Sequence, residues 1–363
     1  MSAALKIRGV RSVAVEVPMK LPLGTSAQKI DRATLLLIDL DTDEGVTGRS
    51  YVFCVLKAVA APVGKMLQEA ARIVAGERVV PFEIRAKLLR HFRLMGVQGI
   101  VRMALSGLDM ACWDALAIAS GVPLVRLLGG EPKKVPAYNS NGLGLMAPEP
   151  LADEAEALLE GGFRAAKLRL GYPTLAADLA AVRAVRRRLP DEILLMVDYN
   201  QALTVTEAIR RGHALDGEGI YWIEEPIRHD DYAGNAAVST ALKTPVQIGE
   251  NFSLPQAMGA ALAAKACDYV MPDLERIGGV SGWLHAAGLA AANEIDMSSH
   301  LYSEVSAHLL AVTPTAHWLE YMDWADPILR EPVRIVEGAA VAPDRPGAGL
   351  EWNDDAVARY RIE

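Results

Sequence analysis

Three acidic side chains close three successive apolar runs at equal intervals. Asp198 ends the run ILLMVDYN (193–200), Glu224 lies in YWIEEP (221–226) and Glu250 in VQIGEN (246–251), each 26 residues after the last (224 − 198 and 250 − 224). A strand, a helix and two short loops need about that many residues in a repeating β/α unit. The repeat therefore delivers one acid to the same rim of three neighbouring strands. Converging carboxylates repel one another unless a cation sits between them, and all-oxygen ligands favour a hard ion such as Mg²⁺ over zinc.

The pattern extends in both directions. Short apolar runs recur near 135–140, 165–170, 193–198, 221–225, 246–250, 269–273, 296–300 and 317–321, with helical stretches such as TLAADLAAVRAVRRRLP (174–190) between them. About eight β-then-α units predict a parallel sheet closed into a barrel, with its chemistry at the carboxyl ends of the strands. Ahead of the barrel, residues 1–130 read as α+β. RSVAVEVP (11–18) alternates, and 33–53 reads as two strands around Asp43-Glu44-Gly45. The stretch 57–130 is helical by period, with a long helix over 99–121 closed by Gly121. Residues 21–32, LPLGTSAQKIDR, read as a mobile loop over the barrel mouth. The expected organisation is a capping domain (1–130), a barrel (131–330) and a Pro- and Gly-rich tail (331–363) that packs back on the capping domain.

With 363 residues, 51% hydrophobic and 23% charged, the chain suits a barrel plus a modest second domain. A net charge of −8 argues against nucleic acid or an anionic membrane surface as partner. Cys54, Cys112 and Cys267 are scattered without metal or disulfide spacing, which suits buried side chains in a reducing cytoplasm. The N-terminus carries no long apolar segment, so neither a signal peptide nor a membrane span is expected.

Strand ends supply the remaining chemistry. AAKLRL offers Lys167 and Arg169, which alternate onto one face and point into the mouth. YVMPD gives Asp273, MSSH gives His300 and HWLE gives Glu320. Neighbouring strands bring Asp273 within reach of His300, where it can orient the ring and raise its basicity. A proton beside a carboxylate is very weakly acidic. A divalent metal and cationic side chains can hold the resulting charge while a base stands on one face of the carbon.

The stretches LLLIDLDTDEGVTG, DMACWDAL, VDYNQ, WIEEP, QIGEN, IGGVSGW, MSSHL and AHLLAVTPTAHWLE resemble the mandelate racemase subgroup of the enolase superfamily over nearly the full chain. That resemblance implies a modified TIM (β/α)7β barrel with an α+β cap. It implies Mg²⁺ on Asp198, Glu224 and Glu250, and His300 as acid/base with Asp273 as its partner. It further implies Glu320 as the acid that hydrogen-bonds the ene-diolate, Lys167 against the substrate carboxylate, and Ser140 and Asn200 near substrate or metal. The muconate-lactonizing subgroup places a lysine base where Asp273 stands here.

One position departs. The subgroup's racemases carry Lys-x-Lys, the second lysine serving the opposite face of the carbon, and here that position is Arg169. A guanidinium stays charged and is a poor proton acceptor. Dehydration needs only one face, so the expected function is α-proton abstraction from a 2-hydroxycarboxylate with loss of water, as in acid sugars. Racemisation or epimerisation of a 2-hydroxy acid is the second reading, and a barrel that binds metal and carboxylate without turnover is the third. The segment 50–59 is less aromatic than an aryl pocket would want, and Lys29 and Arg32 suggest contacts to a distal carboxylate. A small-molecule carboxylate is the expected partner and a homo-oligomer the expected assembly.

Overall fold

Strands β1 (Ile7–Gly24), β2 (Lys29–Thr42) and β3 (Thr47–Phe53) form an antiparallel meander in the computed structural model, which describes residues 5–362. The central strand β2 is buried from Ala33 to Leu37, as its apolar run requires. The sheet packs on helices Lys57–Val74 and Gly99–Ala119. The contact is closest at Gly48, where an added Cβ would lie 2.1 Å from the carbonyl oxygen of Ala111, so only glycine fits.

Seven strands follow in the barrel: β4 (Lys134–Asn139), β5 (Ala165–Arg169), β6 (Leu194–Asp198), β7 (Ile220–Glu224), β8 (Val246–Ile248), β9 (Tyr269–Val270) and β10 (Leu319–Tyr321). Strands β4 to β9 pair in parallel in chain order, and β10 pairs with β4. The gap between β9 and β10 is closed by residues around 296–300. Met297 bridges both Val270 and Ala316, and Asp273 bridges His300. Counting that segment, there are eight strand positions, and the last is not followed by a barrel helix.

Register explains how the acids meet. Arg169 lies opposite Asp198, Asp198 opposite Glu224, and Glu224 opposite Gln247. Side chains two apart share a face, so the interior is layered. Tyr138, Ala165, Met196 and Trp222 fill an apolar layer, and Lys167, Asp198 and Glu224 stand one step further toward the carboxyl ends. The alternate residues Ala166, Leu168, Leu195, Val197 and Ile223 face the surrounding helices.

Three expectations are corrected. Residues 21–32 are mostly strand: β1 runs to Gly24 and β2 begins at Lys29, leaving only 25–28 as a turn. Interstrand pairing continues through the polar stretch, with Leu23 opposite Ile30 and Gly24 opposite Lys29. The runs 246–250, 269–273 and 296–300 form less strand than their composition predicts. Gly249 at φ +140° ends β8, and Asp273 caps the short helix that follows β9. The tail divides. Strands β11 (Arg334–Val336) and β12 (Ala339–Val341) form a hairpin that adds to β4 of the barrel. Beyond it the chain returns to the cap, where the Trp352 indole N–H donates to Asp39 and Arg361 bridges Val15.

Candidate active site

At the carboxyl ends of the barrel strands, one oxygen from each of Asp198, Glu224 and Glu250 lies within 4.8 Å of the others. Glu250 reaches this point although β8 ends at Ile248, because Gly249 adopts a backbone turn that L side chains rarely reach. Burial pushes Asp198 upward, and Glu250 adds repulsion that Lys167 offsets. Glu224 is pushed up to about 8, by burial first and then by Asp198, Glu320 and Glu250 against the pull of Lys167. Burial would raise Glu250 too, but His300 and Arg276 outweigh it and hold this carboxylate well below its ordinary value. Two buried carboxylates that resist ionisation, facing a third that is charged, fit a hard divalent cation at their centre.

Lys167 is fully buried among acids, with Nζ 2.6 Å from Glu224 Oε1, 2.8 Å from Glu320 Oε1 and 3.5 Å from Asp198 Oδ2. Burial opposes its charge, and these three carboxylates overcome that and hold it protonated. Glu320 is fully engaged. Oε1 accepts from Lys167 and, at 2.7 Å, from the Ser140 hydroxyl, while Oε2 accepts from the Leu301 backbone N–H at 2.8 Å. Burial would raise Glu320, but Lys167 and His300 outweigh it and hold it down to about 2. In this arrangement Glu320 accepts rather than donates hydrogen bonds.

The His300 ring is clamped at both nitrogens. Its Nδ1–H donates to Asp273 Oδ2 at 2.7 Å, and Nε2 lies 3.1 Å from Glu250 Oε2. Asp273 is fixed in turn, since its Oδ1 accepts from the backbone N–H groups of Glu275 and Arg276. Burial works against an imidazolium here, yet Glu250, Glu320 and Asp273 together raise His300 well above its ordinary value.

Arg169 reaches the same cavity but spends its guanidinium elsewhere. Nη1 donates to the Ser140 carbonyl at 2.6 Å and the Gly142 carbonyl at 3.0 Å, and Nη2 donates to Ser140 Oγ at 2.8 Å. Ser140 therefore stands behind Arg169 and Glu320, fully buried, and does not line the cavity as the resemblance implied. Asn200 does line it, with its side-chain amide donating to Asp198 Oδ2 at 2.9 Å.

Lys29 and Arg32 are corrected outright. Both are exposed and neither lines the cavity, and Arg32 is tied to Glu16 of β1. Gln28 of the turn and Ile30 of β2 line it instead. The sequence reading also passed over Arg276, whose Nη1 donates to the Glu250 carbonyl and to Asn251 Oδ1 at 2.6 Å. It passed over Glu225 as well, which accepts from Asn251 Nδ2 at 2.8 Å. Their positions in the runs gave a signal: Glu225 and Asn251 directly follow two of the convergent acids, and Arg276 follows Asp273 by three. Asn200, Gln201, Glu225 and Leu301 all hold positive φ just past the barrel strands, and such strained backbone concentrates where function over-determines it.

The cavity above these groups is about 240 Å³. Its barrel side carries Lys167, Arg169, Asp198, Glu250, Arg276, His300 and Glu320, and the cap contributes no charged residue to its lining.

Fold and site together define a barrel enzyme of the class that removes a proton beside a carboxylate with the help of a hard metal ion. Residues 7–129 match the mandelate racemase / muconate lactonizing enzyme N-terminal domain, and residues 150–356 match the enolase C-terminal domain-like family. The chain belongs to the mandelate racemase / muconate lactonizing enzyme family of the enolase superfamily. It is 31% identical to the L-talarate/galactarate dehydratase of Salmonella typhimurium, over 92% of this chain and 84% of that protein. It is 31% identical to the 3,6-anhydro-alpha-L-galactonate cycloisomerase of Streptomyces coelicolor, over 96% of this chain and 97% of the relative. A crystal structure of an enolase from Bradyrhizobium complexed with magnesium and mandelic acid superposes with a TM-score of 0.96 at 43% identity, covering all of both chains.

Proposed function

We propose that the chain is a Mg²⁺-dependent dehydratase of a 2-hydroxycarboxylate that works on one face of the α-carbon. The carrying observation is the asymmetry between His300 and Arg169. His300 lines the cavity with Nδ1 fixed on Asp273 and Nε2 beside the metal-ligand candidate Glu250, whereas the Arg169 guanidinium is consumed by Ser140 and Gly142. A racemase needs a competent base on both faces, and a dehydratase needs one.

Asp198, Glu224 and Glu250 are the residues to hold the metal, and relatives of known structure carry magnesium. When bound, Mg²⁺ supplies positive charge for the oxyanion that develops as the α-proton leaves. Lys167 adds a fixed charge in a water-poor setting, where it acts more strongly than in solvent. Nε2 of His300 takes the α-proton. The C2–H electron pair forms the C2=C3 bond, the C3–O bond breaks, and the same His300 returns its proton to the departing hydroxyl as water. The resulting enol ketonises to a 2-oxo acid. Asp273 keeps the ring in one tautomer and stabilises its cation through this cycle.

The relatives are consistent with this chemistry. Talarate/galactarate dehydratase loses water from an acid sugar by name, and mandelic acid shares the carboxylate and hydroxyl-bearing α-carbon. We further place the protein in the cytoplasm as a homo-oligomer. In support, all three cysteines are buried and unpaired, no described helix is long and apolar enough to cross a membrane, and Leu94 and Met95 expose apolar surface on one turn. The test is a screen of 2,3-dihydroxycarboxylates with Mg²⁺, reading 2-oxo acid formation. Product that disappears in His300→Asn supports the proposal, and interconversion of 2-hydroxy acid enantiomers by wild type overturns it.

A further inference from the structure

The cavity has two unlike halves. All of its charged lining comes from the barrel, where the carboxylate end of a substrate must lie. The opposite half is built from Leu23, Ile30, Phe53 and Val55 of the cap with Met322 and Trp324 from the end of the barrel. Phe53 and Trp324 pack ring to ring at 4.9 Å. Two polar cap residues reach the cavity. Thr25 is already committed, since its hydroxyl donates to the Gln28 carbonyl and accepts from the N–H groups of Ala27 and Gln28. That leaves the Gln28 amide, which has no hydrogen-bond partner among the described residues.

A polyhydroxylated chain with a second carboxylate would lose water there and find one amide in return. Each hydroxyl moved into such a setting without a partner loses its hydration uncompensated, and a carboxylate loses more. An aromatic or branched apolar group gains from the same surface, in proportion to the apolar area it removes from water. The two cations that a diacid would want, Lys29 and Arg32, are exposed and do not line the cavity.

We infer that the substrate is a 2,3-dihydroxycarboxylate whose C3 carries an apolar, preferably aryl, substituent. The inference rests on the dehydratase reading and narrows its substrate class. The C2 proton goes to His300, the C3 hydroxyl leaves as water, and a 3-substituted 2-oxo acid results. The apolar group stays against Phe53 and Trp324 throughout. No redox partner is needed, because water is the only other product.

The test separates binding from turnover. With Mg²⁺ present, His300→Asn is titrated calorimetrically with the four stereoisomers of 2,3-dihydroxy-3-phenylpropanoate, and with gluconate and galactarate. One phenyl stereoisomer should bind at least tenfold more tightly than either acid sugar. Gln28→Arg, which puts a cation on the cap at a turn position, should narrow that ratio by strengthening galactarate binding. Equal or tighter binding of the acid sugars by the unmodified cap overturns the apolar-substituent inference and leaves the dehydratase reading intact. Wild type is then assayed with the preferred stereoisomer in D₂O. Formation of 2-oxo-3-phenylpropanoate supports both readings. Deuterium entry at C2 without that product defeats the dehydratase reading and, with it, this substrate assignment.

Discussion

Arg169 and Ser140 are joined twice, by Nη1 to the Ser140 carbonyl at 2.6 Å and by Nη2 to its hydroxyl at 2.8 Å. The hydroxyl then donates to Glu320, which also holds Lys167, so one line of contacts runs from the turn after β4 to the metal-site lysine. These contacts let Arg169 brace Ser140 and, through it, Glu320. A lysine at this position would have a single nitrogen to share and, unlike a guanidinium, could release a proton.

Arg169→Lys should therefore do two things. It should lower turnover on the His300 face by tenfold or more, because Ser140 and Glu320 lose their brace. It should also introduce α-deuterium exchange into the opposite configuration, which wild type should leave inert. Proton NMR of each enantiomer in D₂O reads both. Unchanged turnover with no new exchange would show that Arg169 has neither role.

The metal site should couple to stability. A ligand held by the native state alone stabilises by RT ln(1 + [L]/Kd), so Mg²⁺ at about a hundredfold over Kd adds about 2.7 kcal/mol. Thermal melts with and without chelator should show that rise in wild type and little of it in Glu224→Gln, whose side chain keeps its shape and loses its negative charge. A full Mg²⁺ shift in the variant would place the ion elsewhere.

Much of this was legible because the signals were periodic. The equal spacing of Asp198, Glu224 and Glu250 reports one β/α repeat, and the register of β6 against β7 makes the spacing a geometry. Asp273 and His300 were readable as strand-end neighbours for the same reason. Lys29 and Arg32 were not, because LPLGTSAQKIDR lacks alternation and conceals a paired hairpin. Without the strand phase, the sequence cannot say which residues face inward. Ser140 was misjudged because its burial depends on Arg169 folding over it from the next strand.

The junction of cap and barrel should show in the pH dependence of stability. Asp109 on helix Gly99–Ala119 accepts from both the hydroxyl and the backbone N–H of Ser281 on the barrel helix Gly279–Ala292. Burial pushes it up to about 7, against these hydrogen bonds and the nearby Arg85. The folded state therefore holds this proton more tightly than the unfolded chain does. The stabilising contribution is complete below the unfolded value near pH 4 and is lost as pH rises through about 7. Linkage sets it at about 4 kcal/mol at most. Asp109→Asn can keep the backbone contact through its amide oxygen and reverse the other, its amide N–H donating to Ser281 Oγ, and it should flatten the decline in melting temperature between pH 5 and 8. An equally steep decline in the variant would assign it to other groups.

The account rests on a single base, and one measurement reaches it directly. Wild type and His300→Asn, both with Mg²⁺, are incubated in D₂O with each configuration at the α-carbon of a bound 2-hydroxycarboxylate, and deuterium entry is followed. The account predicts exchange of one configuration in wild type, its loss in His300→Asn by at least the 10²–10⁴-fold that general base catalysis supplies, and none of the other configuration in either protein. Exchange of both configurations by wild type, or exchange that survives in His300→Asn, would contradict it.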